Sequence, residues 1–356
     1  MMEYSLQEQA IVFLCACTQF DYRERAAILR AAGDPARLLS GDSGFLSVVK
    51  EERRSLFPAP RDRKKAAEKL FEELDKKGYF ALTVLSADYP EELKQIDEPP
   101  LVLFGAGRRE LLKKRKFCIV GSRMTPSWAE ALTKRISSEI SQRFAVVTGL
   151  AEGGDLAAIS GALESGNLIS VLPCGLDECY PAAHHVTKQR VKEQGLVLSE
   201  YPLNEKVKSY SFHARNRILA GLSEGVLVVS AGSRSGTSIT ANRALDYGRD
   251  VFAFPYNAGV RQGEGCNELL KKGAQLVTDS EDILSFYGFD QKKTELPPLT
   301  EEEERVLSVL REEGELHTAV IAERTGLKIY EAAAALSSLE IKNLAVKSGG
   351  NRYSAL

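Results

Sequence analysis

The sequence predicts an α/β protein in which an open parallel sheet with helices on both faces follows a helical N-terminal unit and precedes a small C-terminal winged helix. Three observations carry this. Apolar, β-rich runs recur from Phe117 onward, each separated from the next by enough chain for a crossover helix. Residues before about 95 instead show apolar positions at three- and four-residue spacing. After Pro298 a capping-box pattern opens a short helical array that ends in a glycine-rich turn between two short strands. The expected divisions are therefore residues 1–95, 96–290 and 298–356.

In the first division, helices are expected at Gln7 to Leu14, Tyr22 to Ala32, Leu39 to Lys50 and Lys64 to Lys77, with breaks at Gly33-Asp34-Pro35 and Pro58-Ala59-Pro60. The charged run Arg61 to Lys65 reads as a solvated helix face rather than a nucleic-acid contact. Leu101 to Gly105 reads as a short strand after the Glu98-Pro99-Pro100 junction. The parallel strands then fall at Phe117–Val120, Ala145–Thr148, Leu168–Leu172, Leu196–Ser199, Val226–Val229, Val251–Phe254 and Gln275–Val277.

In the last division, helices are expected from Thr300, over Thr318 to Thr325 and over Ile329 to Lys342, with a wing through Gly349-Gly350-Asn351. In a winged helix the third helix normally reads duplex DNA, but this one is almost without cations, in a segment holding seven bases against ten acids. A protein-binding or autoregulatory role fits that composition better.

The 356 residues are 44% hydrophobic and 27% charged, which excludes disorder and suits two or three domains. The net charge of −2 argues against a coat of positive charge and leaves room only for a local basic groove. No apolar run approaches the roughly 20 residues of a bilayer span, so a cytoplasmic protein with no membrane partner is expected. Six cysteines without a secretion signal are expected to be reduced thiols.

In an open parallel sheet, ligands sit beyond the carboxyl ends of the strands, so the turns there are the ones to read. Gly121-Ser122-Arg123 combines close backbone approach, a hydroxyl and a guanidinium ahead of a helix, a combination suited to a phosphate. Gly149, Gly153 and Gly154 on the next turn would form a neighbouring wall. Lys208, Phe212, Arg215, Asn216 and Arg217 bring cations and a ring together, which suits a single strand better than a duplex. Ser235, Gly236 and Thr237 open a further helix, and Asn267 caps a later one.

No Gly-x-Gly-x-x-Gly fingerprint or P-loop is present, no cofactor is implied, and the Cys174/Cys179/His184/His185 spacing is wrong for zinc. No nucleophile elbow is present either, so a catalytic site is not expected.

At these residues the chain resembles the DNA-processing protein A family (DprA, also called Smf) of bacterial natural transformation. The motifs occur in order: Gly121-Ser122-Arg123, Thr148 to Asp155, Gly175 to Pro181, Phe212 to Ser223, Ser235 to Ala241 and Gly265 to Leu270. Departures are Gly154 for an apolar residue, His184 for an Asn, His213 for a Pro, and Tyr256 for the second residue of a Pro-Gly pair. The resemblance implies an extended Rossmann-like domain that holds single-stranded DNA in a basic pocket, an N-terminal domain of the sterile-alpha-motif type, and a winged helix found in some members. It also implies dimerisation through the Rossmann-like domain, protection of incoming single strands, and loading of the RecA recombinase, without catalysis.

Two other readings remain open at this stage. One is a nucleotide-processing enzyme of the nucleoside-monophosphate phosphoribohydrolase kind on the same sheet, although its Pro-Gly-Gly-x-Gly-Thr-x-x-Glu motif is lacking. The other is a sequence-specific regulator acting through the winged helix.

Overall fold

The computed structural model describes residues 4–233, 235–289 and 298–356. The N-terminal unit comprises α1 (Leu6–Ala16), α2 (Tyr22–Ala32), two tight 3-10 turns, α3 (Glu51–Arg54) and α4 (Pro60–Lys77). Side-chain oxygens cap the first two helices: Ser5 with Glu8 and Asp21 with Glu24 form capping boxes. The helix expected over Leu39 to Lys50 is replaced by the 3-10 turns Pro35–Leu39 and Gly44–Val48. The reason is local: the Asp42 carboxylate accepts from Gly44 N at 2.7 Å, a turn bond that competes with helix propagation.

Arg63, from the charged run, is fully buried; it donates to the carbonyls of Pro58 and Asp42 and to Ser43 Oγ, and lies over Phe57. α1 is apolar on almost every side because it has two cores to fill. Ala10, Phe13 and Leu14 face the helical unit, and Ile11, Val12 and Cys15 face the sheet.

The main division contains β1 (Tyr79–Thr83), α5 (Glu91–Lys94), β2 (Val102–Gly107), β3 (Lys116–Gly121), α6 (Ser127–Ile140), β4 (Ala145–Thr148), α7 (Gly154–Ala162) and β5 (Leu168–Leu172). It continues through α8 (His185–Gln194), β6 (Leu196–Ser199), α9 (Ser209–Leu222), β7 (Gly225–Ser230), α10 (Gly236–Asp246), β8 (Asp250–Ala253), α11 (Glu264–Lys271), β9 (Gln275–Leu276) and α12 (Ser280–Phe286). The nine strands form one sheet in the order β1-β2-β6-β5-β4-β3-β7-β8-β9. Pairing is parallel from β6 to β9, while β1 and β2 add antiparallel at one edge.

β1 lies ahead of the boundary expected near residue 95, because only Gly78, the left-handed cap of α4, separates helix from strand. An apolar layer covers each face of the sheet, one built around Phe117, Ile119 and Phe252, the other around Cys118, Val120 and Val226.

The C-terminal division is α13 (Glu301–Glu313), β10 (Leu316–His317), α14 (Thr318–Thr325), α15 (Ile329–Ile341), β11 (Ala345–Ser348) and β12 (Arg352–Ala355). Its three strands pair in the order β10-β12-β11 around a core of Val306, Leu310, Ile321, Leu336 and Leu339. All six cysteines are free thiols. Among the described residues no helix is long and apolar enough to cross a membrane.

Candidate nucleic-acid interface

From β3 the chain proceeds to β4 on one side, and β7 is later laid on the other side of β3. That reversal opens a crevice beyond the carboxyl ends of β3 and β7, because the loops leaving the two strands diverge. A cleft of about 320 Å³ lies there, lined by the turn after β3, the inner face of α9 and the start of α10.

Hydroxyls join the two strand ends. Ser122 N donates to Ser230 O at 3.0 Å, Ser230 Oγ donates to Ser122 Oγ at 3.0 Å, and Thr125 Oγ1 lies 2.6 Å from Ser230 Oγ. This network holds the Gly121-Ser122-Arg123 turn still. Arg123 itself is exposed and has no carboxylate partner among the described residues; its guanidinium stands 5.7 Å from the Phe212 ring centre and 5.9 Å from that of Tyr180. The two rings meet edge-on at 5.5 Å. Aromatic faces hold the cation in place without neutralising it.

Arg215 lies at the floor, fully buried. It donates to Val171 O at 2.6 Å and to Asn216 Oδ1 at 3.1 Å. Asp155 faces it across Gly149, accepting from Gly121 N at 3.4 Å and Ala151 N at 3.3 Å. Burial pushes the Asp155 carboxyl up and the Arg215 guanidinium down from their ordinary values, and each offsets the other's shift by its opposite charge. Asn216 Nδ2 donates to Gly236 O at 3.2 Å, tying α9 to the start of α10, where Ser235 caps the helix by accepting from Ser238 N.

Of the residues singled out from sequence, Gly121, Ser122, Arg123, Phe212, Arg215, Asn216, Ser235, Gly236 and Thr237 line this cleft. The others do not. Gly149, Gly153 and Gly154 lie behind it and serve packing: a Cβ on Gly154 would stand 2.6 Å from Gly121 Cα, and one on Gly153 would stand 2.3 Å from Ser122 O. Gly149 makes room for the Asp155 and Arg215 side chains, whose nearest atoms lie 2.3 and 2.4 Å from its Cβ position. Arg217 turns the opposite way along α9, pairing with Glu200 and lying over the Tyr22 ring of the N-terminal unit. Lys208 pairs with Glu205 beside Tyr210. Asn267 bridges the backbone of Tyr256 from both sides, at 3.0 and 2.9 Å, and so shapes a loop instead of facing a ligand.

Sequence reasoning passed over Thr240 and Asp155 as lining residues and Tyr180 as a ring on Arg123. The Tyr180-Pro181 pair stood in a quoted motif, and that was the available signal.

Residues 80–288 match the family described as DNA recombination-mediator protein A, and residues 290–351 match the DprA winged helix domain. The chain belongs to the DNA recombination-mediator protein A family. It is 39% identical over 210 residues to DNA processing protein DprA of Streptococcus pneumoniae, covering 59% of this chain and 74% of that one. It is 33% identical to protein Smf of Synechocystis, covering 79% and 81%.

Among solved structures, DNA processing protein A of Streptococcus pneumoniae superposes with a TM-score of 0.67 at 32% identity, over 82% of this chain and all of that one. DNA processing protein A of Helicobacter pylori, described for its unique single-stranded DNA binding mode, superposes with a TM-score of 0.55 at 30% identity, over 59% of this chain and 95% of that one. Among the described residues no cluster of His, Cys, Asp and Glu could hold a metal ion.

Proposed function

We propose that this protein binds single-stranded DNA in the switch-point cleft and, as a cytoplasmic homodimer built through the sheet-bearing division, protects incoming strands and loads the RecA recombinase during natural transformation. The observation that carries the reading is the Arg123 guanidinium, exposed, in no ion pair among the described residues and flanked by Tyr180 and Phe212 at the mouth of a hydroxyl-lined cleft. A phosphate entering there meets Arg123, the Ser122 and Thr237 hydroxyls and the first turn of α10, whose unpaired N–H groups favour an anion.

Arg215 lines the same space from below. Bases leaving the cleft can lie on Phe212 and Tyr180, and since every base has a π-face such stacking is tolerant of sequence. The Helicobacter pylori relative's single-stranded DNA binding mode supports the assignment by likeness.

The test is fluorescence anisotropy of labelled oligothymidine against a duplex of equal length, titrated across salt. Single strands should bind tighter, with log K falling linearly in log salt at a slope of about −0.7 per phosphate engaged. Equal binding of duplex, or a slope near zero, would overturn the proposal.

A further inference from the structure

We infer that the winged helix carries a docking groove for a basic amphipathic helix of a partner protein, formed between the start of α13 and the outer face of α15. The groove measures about 420 Å³; Leu327, Ala334, Ala335 and Ser338 form its floor, and Glu302 and Glu331 stand at its rim. It adjoins an apolar stripe on α15 in which Tyr330, 64% exposed, and Ile341, 81% exposed, flank Ala334 on one face of the helix. The opposite side of the domain is already occupied: β11 packs beside α6, and Leu356 packs on the main apolar core. The α15 face is left uncovered.

Charge selects the occupant. From Ile329 to Ile341 there is no Lys or Arg, so the helix that would enter a major groove lacks the cations needed to hold phosphates. Four of the domain's seven cations pair with carboxylates: Arg305 with Glu301, Arg324 with Glu313, Arg352 with Glu315, and Lys342 with Glu303 in the groove wall, while Lys328 lies 5.7 Å from the Tyr330 ring centre. Glu302 and Glu331 form no ion pair among the described residues; Arg305 lies near Glu302, and Glu331 also caps α15 by accepting from Lys328 N at 2.9 Å. An apolar trough of small residues with carboxylates on its rim matches a helix that presents aliphatic anchors at i, i+3/i+4 and i+7 with Lys or Arg beside them. Small floor residues let its backbone approach closely, and the rim charges set its orientation.

The experiment uses the full chain and three fluorescein-labelled peptides of 18 residues: a Leu/Lys amphipathic helix, a scramble of the same composition, and a Leu/Glu counterpart. The Leu/Lys helix should bind about tenfold or more tighter than either of the others at low salt. Glu302→Lys with Glu331→Lys, confirmed folded by circular dichroism with a Tm lowered no further than the lost Glu331 cap on α15 accounts for, should lose that preference and take up the Leu/Glu peptide. Oligothymidine binding should be unaffected, which separates this inference from the cleft assignment.

Equal binding of the scrambled peptide, or no effect of the double charge reversal, would overturn it. So would displacement of the peptide by a short duplex at physiological salt, or a concentration-dependent dimer abolished by Ile341→Glu, since these would make DNA or a second copy of this chain the occupant.

Discussion

Replacing Arg123 by Ala separates recognition from folding. The side chain is exposed, has no ion pair, and touches the fold chiefly through the rings of Tyr180 and Phe212 at 5.9 and 5.7 Å. Its loss leaves no buried charge, so the stability change should stay within about 0.5 kcal/mol, as for surface substitutions generally. A charge-assisted hydrogen bond to a phosphate is worth roughly 1.5–3 kcal/mol. Affinity for oligothymidine should therefore fall about 10- to 100-fold, with the salt slope shallower by about 0.7 for each phosphate released. Arg123→Lys should fall between the two, since it keeps the charge but not the planar fork.

Arg215→Ala is the contrasting variant. It leaves Asp155 buried with two long backbone hydrogen bonds and the more distant charge of Arg123, and should cost roughly 3–5 kcal/mol of stability. Anisotropy at several salt concentrations, paired with thermal melts, reads both quantities. If Arg123→Ala binds with unchanged affinity and slope, the strand does not pass over the β3 turn and the cleft assignment is wrong.

Gly154→Ala should destabilise by roughly 1–3 kcal/mol through overpacking against Gly121 and Val229, measurable in a urea melt, whereas Gly236→Ala meets no atom within 4 Å and should not. In the winged helix, hydrogen bonds from Lys342 and Ser338 hold the Glu303 carboxyl at about 2 against an ordinary 4.5. Because the folded value is the lower one, that contribution is complete above pH 4.5 and lost as pH falls toward 2. Glu303→Gln should flatten the acid limb of a pH-dependent melt. Burial pushes the Cys15 and Cys266 thiols up to about 12 and the Cys17 and Cys174 thiols up to about 11. A thiol reagent at neutral pH should therefore label half-buried Cys179 first, and fast labelling of any of these four in the folded protein would contradict the packing described.

Much was readable from local pattern. The strands at Ala145–Thr148, Leu168–Leu172 and Leu196–Ser199 and the helix at Thr318–Thr325 fall where spacing and composition place them. Period and turn chemistry are properties of neighbouring residues, and these segments have flanks that agree with them. The β1 strand was hidden because its helix-capping glycine directly abuts it. The 3-10 turns were hidden because Asp42 diverts the backbone where apolar spacing alone favours a helix.

The cleft divides along the same line. The amino-acid order alone determined that glycines, hydroxyls and cations would gather at the carboxyl edge of a parallel sheet, since each such turn is local and a parallel sheet carries them all to one rim. Which of those residues meet was decided by the fold. Arg215 and Arg217 are two positions apart on one helix, and a helical turn of about 100° per residue sends them to opposite faces. One arginine looks into the cleft and the other into the joint with the N-terminal unit, a choice set by what each face of α9 packs against and not by the residues themselves.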